Sequence, residues 1–268
     1  MLLKRLLTAL VLIPVLILIL LKGTPVAFTF LVLIISLVSI TEYFRIISPL
    51  SNPIPLKVQF VCYIFSLLII MAANKNSLEM MLLFLTFNLI TMSIVVVVKF
   101  KSDSSILDSL LGEIQGVIYI PLFLSFLILL RNTPNGGHFV LWLWIIIGVS
   151  DTGAYYVGSN FGLRPLAKHV SPKKTVEGAL GGLGAAALAG LVYGSIFIDN
   201  LSFIMAILFS VATAASGQIG DLFESALKRS SGIKDSGTIL PGHGGVLDRI
   251  DGLIFAAPVA YLFKVFIL

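Results

Sequence analysis

Between Ser225 and Asp251 the chain reads SALKRSSGIKDSGTILPGHGGVLDRID. Lys228, Arg229, Lys234, Asp235, His243, Asp248, Arg249 and Asp251 crowd into this segment, although charged residues make up only 12% of the chain. Pro241, Gly242, Gly244 and Gly245 predict a tight turn with exposed backbone N–H groups. Asp248 and Asp251 stand three residues apart, on one face if a helix has begun there. Upstream, Asp221, Glu224, Ser225 and Lys228 fall at i, i+3, i+4 and i+7, one helical face leading into the turn. Paired carboxylates, cations and a glycine turn are the components of a metal–phosphate site. Asp221, Asp248 and Asp251 offer three carboxylates without a His/Cys set, a donor chemistry that suits Mg2+ rather than Zn2+. His243 fits a phosphate contact or a turn-stabilising role better than metal ligation. Arg249, between the two aspartates, would point elsewhere on a helix, to pair with a carboxylate or reach a phosphate. The competing reading of the segment is a solvated connection, which rarely needs so dense a mixture.

Two further polar clusters interrupt the second half. In SDTGAYYVGSNFG (150–162), Asp151 follows a long apolar run. An ionisable group at membrane depth marks a functional site by default, the alternative being a purely structural ion pair. Tyr155 lies one turn further on, on the same face, and Tyr156 suits an interfacial anchor. In RPLAKHVSPKKTVEG (164–178), Ser171-Pro172 reads as a helix N-cap followed by proline at the first helical position. Lys173 and Lys174 would then sit in the first turn, where cations oppose the helix dipole unless an anion binds beside them. Anchoring of both lysines to lipid headgroups is the other reading, and His169 fits the interface.

The elements that must position these residues are membrane helices. The chain has 268 residues, 58% of them hydrophobic, and a mean hydropathy of +1.06. A soluble domain carries about 25% charged residues, so the composition predicts an all-α, polytopic integral membrane protein. Nine spans are expected, at about 6–21, 25–47, 56–73, 78–98, 112–130, 138–158, 178–198, 201–222 and 252–268. The first reads as a membrane helix rather than a cleaved signal, because no small-x-small cleavage site precedes Lys22. With the N-terminus inside, 14 of the 18 Lys and Arg fall on the cytoplasmic side, as the positive-inside rule requires. The net charge of +5 is explained by those loops and does not point to nucleic acid. Cys62 reads as a small core residue. Residues 1–110 are expected to form a helical scaffold, with Glu42 and Arg45 at its interface. Residues 111–268 are expected to be the catalytic region, with cytoplasmic loops at 159–177 and 228–251. Its GALGGLGAAALAG stretch (178–190) predicts close helix packing or a dimer seam rather than a ligand contact.

At these residues the chain resembles the phosphatidate cytidylyltransferases, or CDP-diacylglycerol synthases. Ser225, Leu227, Lys228, Arg229, Lys234, Asp235, Gly237, Leu240, Pro241, His243, Gly244, Gly245, Val246, Asp248, Arg249, Ile250 and Asp251 fill the fixed positions of that family's C-terminal signature. D-T-x-A-Y from Asp151 and S-P-K-K-T-x-E-G from Ser171 are also similar, so the resemblance covers about 140–268. It implies Mg2+-dependent transfer of CMP from CTP to phosphatidic acid, giving CDP-diacylglycerol and pyrophosphate, by a homodimer in the cytoplasmic membrane. On that basis Asp221, Asp248 and Asp251 are expected to hold the metal, with room for a second cation. Lys174 is expected to serve catalysis. Ser171, Lys173, Lys228, Arg229, His243, Gly244, Gly245 and Arg249 are expected at the substrates, with Asp151 and Glu224 shaping the pocket. The rivals are a CTP-dependent lipid kinase, a transporter using the acids as an ion path, and a membrane scaffold.

Overall fold

The computed structural model describes residues 14–48, 54–99, 105–239 and 244–268. Local chemistry sets most helix boundaries. Residues 14–22 are helical (α1). Thr24 then caps α2 (Pro25–Ile47), its hydroxyl accepting from Ala27 N with proline at the first helical position, where the missing N–H costs nothing. α3 (Leu56–Asn74) and α4 (Leu78–Lys99) form the rest of the first half. α5 (Ser105–Val117) passes through one π-helical turn, Ile118–Leu122, into α6 (Phe123–Arg131). Pro121 lies in that turn, which accommodates a residue unable to donate its own N–H.

α7 (Gly136–Phe161) leads into an antiparallel hairpin, β1 (Pro165–Ala167) and β2 (Ser171–Thr175). This corrects the helix start expected at Ser171-Pro172. The true N-cap of α8 (Val176–Phe197) is Thr175, whose hydroxyl accepts from Gly178 N. Lys173 and Lys174 are therefore strand residues and point to opposite sides, rather than sharing a first helical turn. Glu177 fixes the hairpin by accepting from the backbone N–H groups of Leu163 and Arg164 and pairing with the Arg164 guanidinium at 2.9 Å. Ser202 caps α9 (Phe203–Ser230), and α10 (Leu247–Phe266) ends the chain.

Seven described helices are long and apolar enough to cross a membrane, α5 through α6 counting as one, rather than the nine expected. The expected first span lies partly outside the described residues. The last coincides with α10, which carries Asp248, Arg249, Asp251 and Lys264.

Glycine lets α7, α8, α9 and α10 approach closely. A Cβ on Gly181 would stand 2.5 Å from Val157 of α7, and one on Gly220 would stand 2.5 Å from the Asp251 carbonyl oxygen. The Gly220→Ala variant is expected to lose about 1–3 kcal/mol through overpacking. Gly184 meets nothing within 4 Å, so Gly184→Ala is expected to be neutral or slightly stabilising. Thermal unfolding of both variants in detergent checks the contrast; equal midpoints would remove Gly220 from the helix contact.

Candidate active site

The polar residues converge where α7, α8, α9 and α10 cross. Gln218 of α9 donates to Ser150 Oγ on α7 at 3.2 Å and to the Ala179 carbonyl on α8 at 3.1 Å. Ser216 Oγ donates to the Phe255 carbonyl on α10 at 2.8 Å. Asp151, Asp221 and Asp251 on these helices lie within electrostatic reach of one another. Lys174 reaches in from β2 and forms an ion pair with Asp221, each side chain about one-third exposed. Asp151 is exposed and Asp251 half-buried.

Asp248 lies in the same helical turn as Asp251 but faces other partners. Its Oδ1 accepts from Lys228 Nζ at 2.7 Å, and its Oδ2 accepts from Gly245 N at 2.9 Å and Ser236 N at 3.0 Å. Burial raises the Asp248 carboxyl, but Lys228 and the backbone N–H groups outweigh burial and hold it down to about 2. Lys228 also pairs with the fully buried Glu224 at 2.5 Å. The spacing of Asp248 and Asp251 thus puts them in one turn without giving them one set of contacts.

The structure distributes the other expected residues unevenly. Lys173 is exposed on β2, and Ser171 lies at its start, paired in register with Ala167. Arg229 ties the end of α9 to the hairpin and loop, donating to the Val170 and Ile233 carbonyls at 3.4 Å. Ser225 Oγ donates to Asp221 Oδ1 at 3.4 Å, and Arg249 is exposed. Tyr155 is exposed beside Tyr156, with their rings edge to face. His243 lies outside the described residues. Gly244 adopts φ +85°, and a Cβ there would stand 2.9 Å from Asp248 Oδ2, so glycine is required on both counts. The Gly245 N–H, expected to cradle phosphate, is here donated to Asp248.

Sequence reasoning missed Glu42. It was expected at the interface, yet its side chain on α2 is fully buried. Oε1 accepts from Val246 N at 3.0 Å; Oε2 accepts from Leu247 N at 2.8 Å and Ser236 Oγ at 3.1 Å. A carboxylate from the first half therefore satisfies the orphan N–H groups that begin α10. The rule that singled out Asp151, an acid inside an apolar run, applied equally to Glu42.

Among the described residues, no group of three or more His, Cys, Asp or Glu is placed to hold a metal ion. The donor set nevertheless fits Mg2+. That ion commonly takes one or two carboxylates and completes its shell with water and substrate phosphates. Asp151, Asp221, Glu224, Asp248 and Asp251 bring five carboxyl groups to this end of the bundle, and Lys174 and Lys228 balance at most two. Glu224 Oε1 is also buried without a hydrogen-bond partner among the described residues.

The fold and this site define a polytopic helical membrane protein with a carboxylate- and lysine-rich centre at one end of its apolar bundle. The cytidylyltransferase family profile matches residues 3–267, and the chain belongs to that family. It is similar to the phosphatidate cytidylyltransferase of Bacillus subtilis (strain 168), 40% identical over 147 residues, which are 54% of this chain and 55% of that protein. The enzyme of that name from Thermotoga maritima is 37% identical over 174 residues, 62% of this chain and 63% of the relative. That from Haemophilus influenzae is 42% identical over 142 residues, 51% and 49% of the two. The chain thus spans about half to two-thirds of the length of these relatives.

Proposed function

We propose that the chain is a phosphatidate cytidylyltransferase of the cytoplasmic membrane, with its N-terminus and active site on the cytoplasmic side. The observation that carries this reading is the convergence of Asp151, Asp221 and Asp251 with Lys174 at one end of an apolar bundle. A lipid phosphate can reach such a site while its tails remain in the bilayer. A phosphatidate oxygen attacks the α-phosphorus of CTP; the bond from that phosphorus to the oxygen bridging it to the β-phosphorus breaks; pyrophosphate leaves. The nucleophile is already anionic, so no strong general base is required, and catalysis rests on positioning and charge neutralisation.

Asp221 and Asp251 would hold Mg2+, which when bound neutralises phosphate oxygens. Asp248 joins them as the third carboxylate if Lys228 turns from it to a phosphate. Lys174, placed at Asp221, is available to a phosphate oxygen, and Glu224 holds Lys228 against α10. Ser171, Lys173, Arg229, His243 and Arg249 are assigned to the substrate side on family resemblance, as are the second cation and the homodimer.

CTP labelled at the α-phosphate, supplied with Mg2+ and phosphatidic acid to the purified protein, is expected to put label into the lipid. Label entering lipid only from γ-labelled CTP, with an alcohol acceptor, would replace this reading by a lipid kinase. Lys174→Ala is expected to raise KM for CTP or lipid by about tenfold, equivalent to about 1.4 kcal/mol of binding. Unchanged kinetics would leave Lys174 with its ion pair alone.

A further inference from the structure

We infer that the apolar cleft between α1, α2, α6, α7 and α10 receives one acyl chain of the lipid substrate, an inference that rests on the reaction proposed above. Phe28, Val32, Ile35, Leu127, Trp144 and Leu253 are among its walls, and every residue lining it is apolar. A polar occupant would find no side-chain partner there.

α10 is the wall shared by the cleft and the polar centre. Ile250 and Leu253, three residues apart on one face, line the cleft, while Asp251 lies about 100° round the helix from Ile250 and within electrostatic reach of Asp221. α2 supplies the direction. Glu42 is bonded to the first N–H groups of α10, so that end of α2 is level with the polar centre. Ile35 and Phe28 lie about 10 and 21 Å back along α2 at 1.5 Å per residue, and Ile250 bridges the interval from the other side. The cleft thus runs from beside the headgroup site into the bundle, along the line a chain attached to that headgroup would take.

Two measurements on the full chain in detergent test this. First, phosphatidate carrying a photoreactive diazirine in one acyl chain is cross-linked and the labelled peptides mapped. Label is expected on residues 28–35 of α2, displaced by dioleoyl phosphatidate and not by dioleoyl phosphatidylcholine. Second, Val32→Trp, which narrows the cleft, is expected to lower kcat/KM for dioleoyl phosphatidate by about tenfold and to leave dioctanoyl phosphatidate within about twofold. Trp144→Ala, which widens it, is expected to alter only the long-chain substrate. Activity on the short-chain substrate shows that each variant has folded. Equal displacement by both lipids, or parallel changes for both chain lengths in both variants, would overturn the assignment. Displaceable label on α2 without any CMP transfer would uphold the cleft and overturn the reaction instead.

Discussion

Asp221→Asn is expected to lower CMP transfer from CTP to phosphatidate by at least about 10²–10³-fold, a barrier increase of roughly 2.7–4 kcal/mol. Asp221 is where Lys174, Asp151 and Asp251 converge, so removing its charge disturbs the cation balance of the centre while keeping its shape. The Lys174–Asp221 pair is about one-third exposed on each side, and ion pairs open to solvent contribute at most about 1 kcal/mol. Loss of the pair should therefore leave the protein folded, and the activity loss should be chemical. Asp251→Asn should behave alike. Asp248→Asn separates two roles: a loss restored by added Mg2+ would place Asp248 in the metal set. A loss accompanied by a lowered unfolding temperature would confine it to holding Lys228 and the Gly245 turn. Labelled-CTP assays across a Mg2+ series, with thermal unfolding alongside, read all three variants. Asp221→Asn retaining more than about a tenth of normal activity would overturn its assignment, because that is less than the loss of a single transition-state hydrogen bond.

The helical membrane architecture was legible because it depends on a local quantity, apolar runs bounded by charge, proline, glycine or asparagine. The glycine run from Gly178 was legible as a close-packing face, while its partner, α7, was not named by the sequence. The hairpin was not legible. Ser171-Pro172 carries a sound local N-cap pattern, but pairing with β1 and the hold of Glu177 on Leu163 and Arg164 override it. These contacts span 13–14 residues, beyond any capping pattern. The site was legible as a set of residues and not as a set of contacts. Asp248 and Asp251 share a turn, yet Lys228 and the N–H groups of Gly245 and Ser236 claim the first, while the second is within electrostatic reach of Asp221 and Asp151. Spacing along one helix cannot state which neighbouring helix approaches which side.

Glu42→Ala is expected to reduce turnover by about tenfold or more although Glu42 belongs to none of the elements carrying the aspartates. Its carboxylate accepts three hydrogen bonds, two from the first N–H groups of α10 and one from Ser236. Hydrogen bonds to a charged group contribute about 1.5–3 kcal/mol each, without simple additivity. The space also depends on this side chain, since Cβ atoms on Gly237 or Gly245 would stand 2.4 and 2.5 Å from its carboxylate oxygens. Alanine leaves a void between α2 and the loop, and leaves buried N–H groups without acceptors one and two residues before Asp248. The start of α10 should then shift, taking Asp248 and Asp251 out of register with Lys228 and Asp221. A misplacement of about 1 Å can lower a rate 10²-fold. Glu42→Gln keeps the shape and one carbonyl acceptor, so it should recover part of the loss. The measurement is kcat and KM for both variants, with thermal unfolding in detergent. A positioning role predicts a fall mainly in kcat, with glutamine between alanine and wild type. Wild-type kcat in the alanine variant, at unchanged unfolding temperature, would show that α10 holds its place without α2.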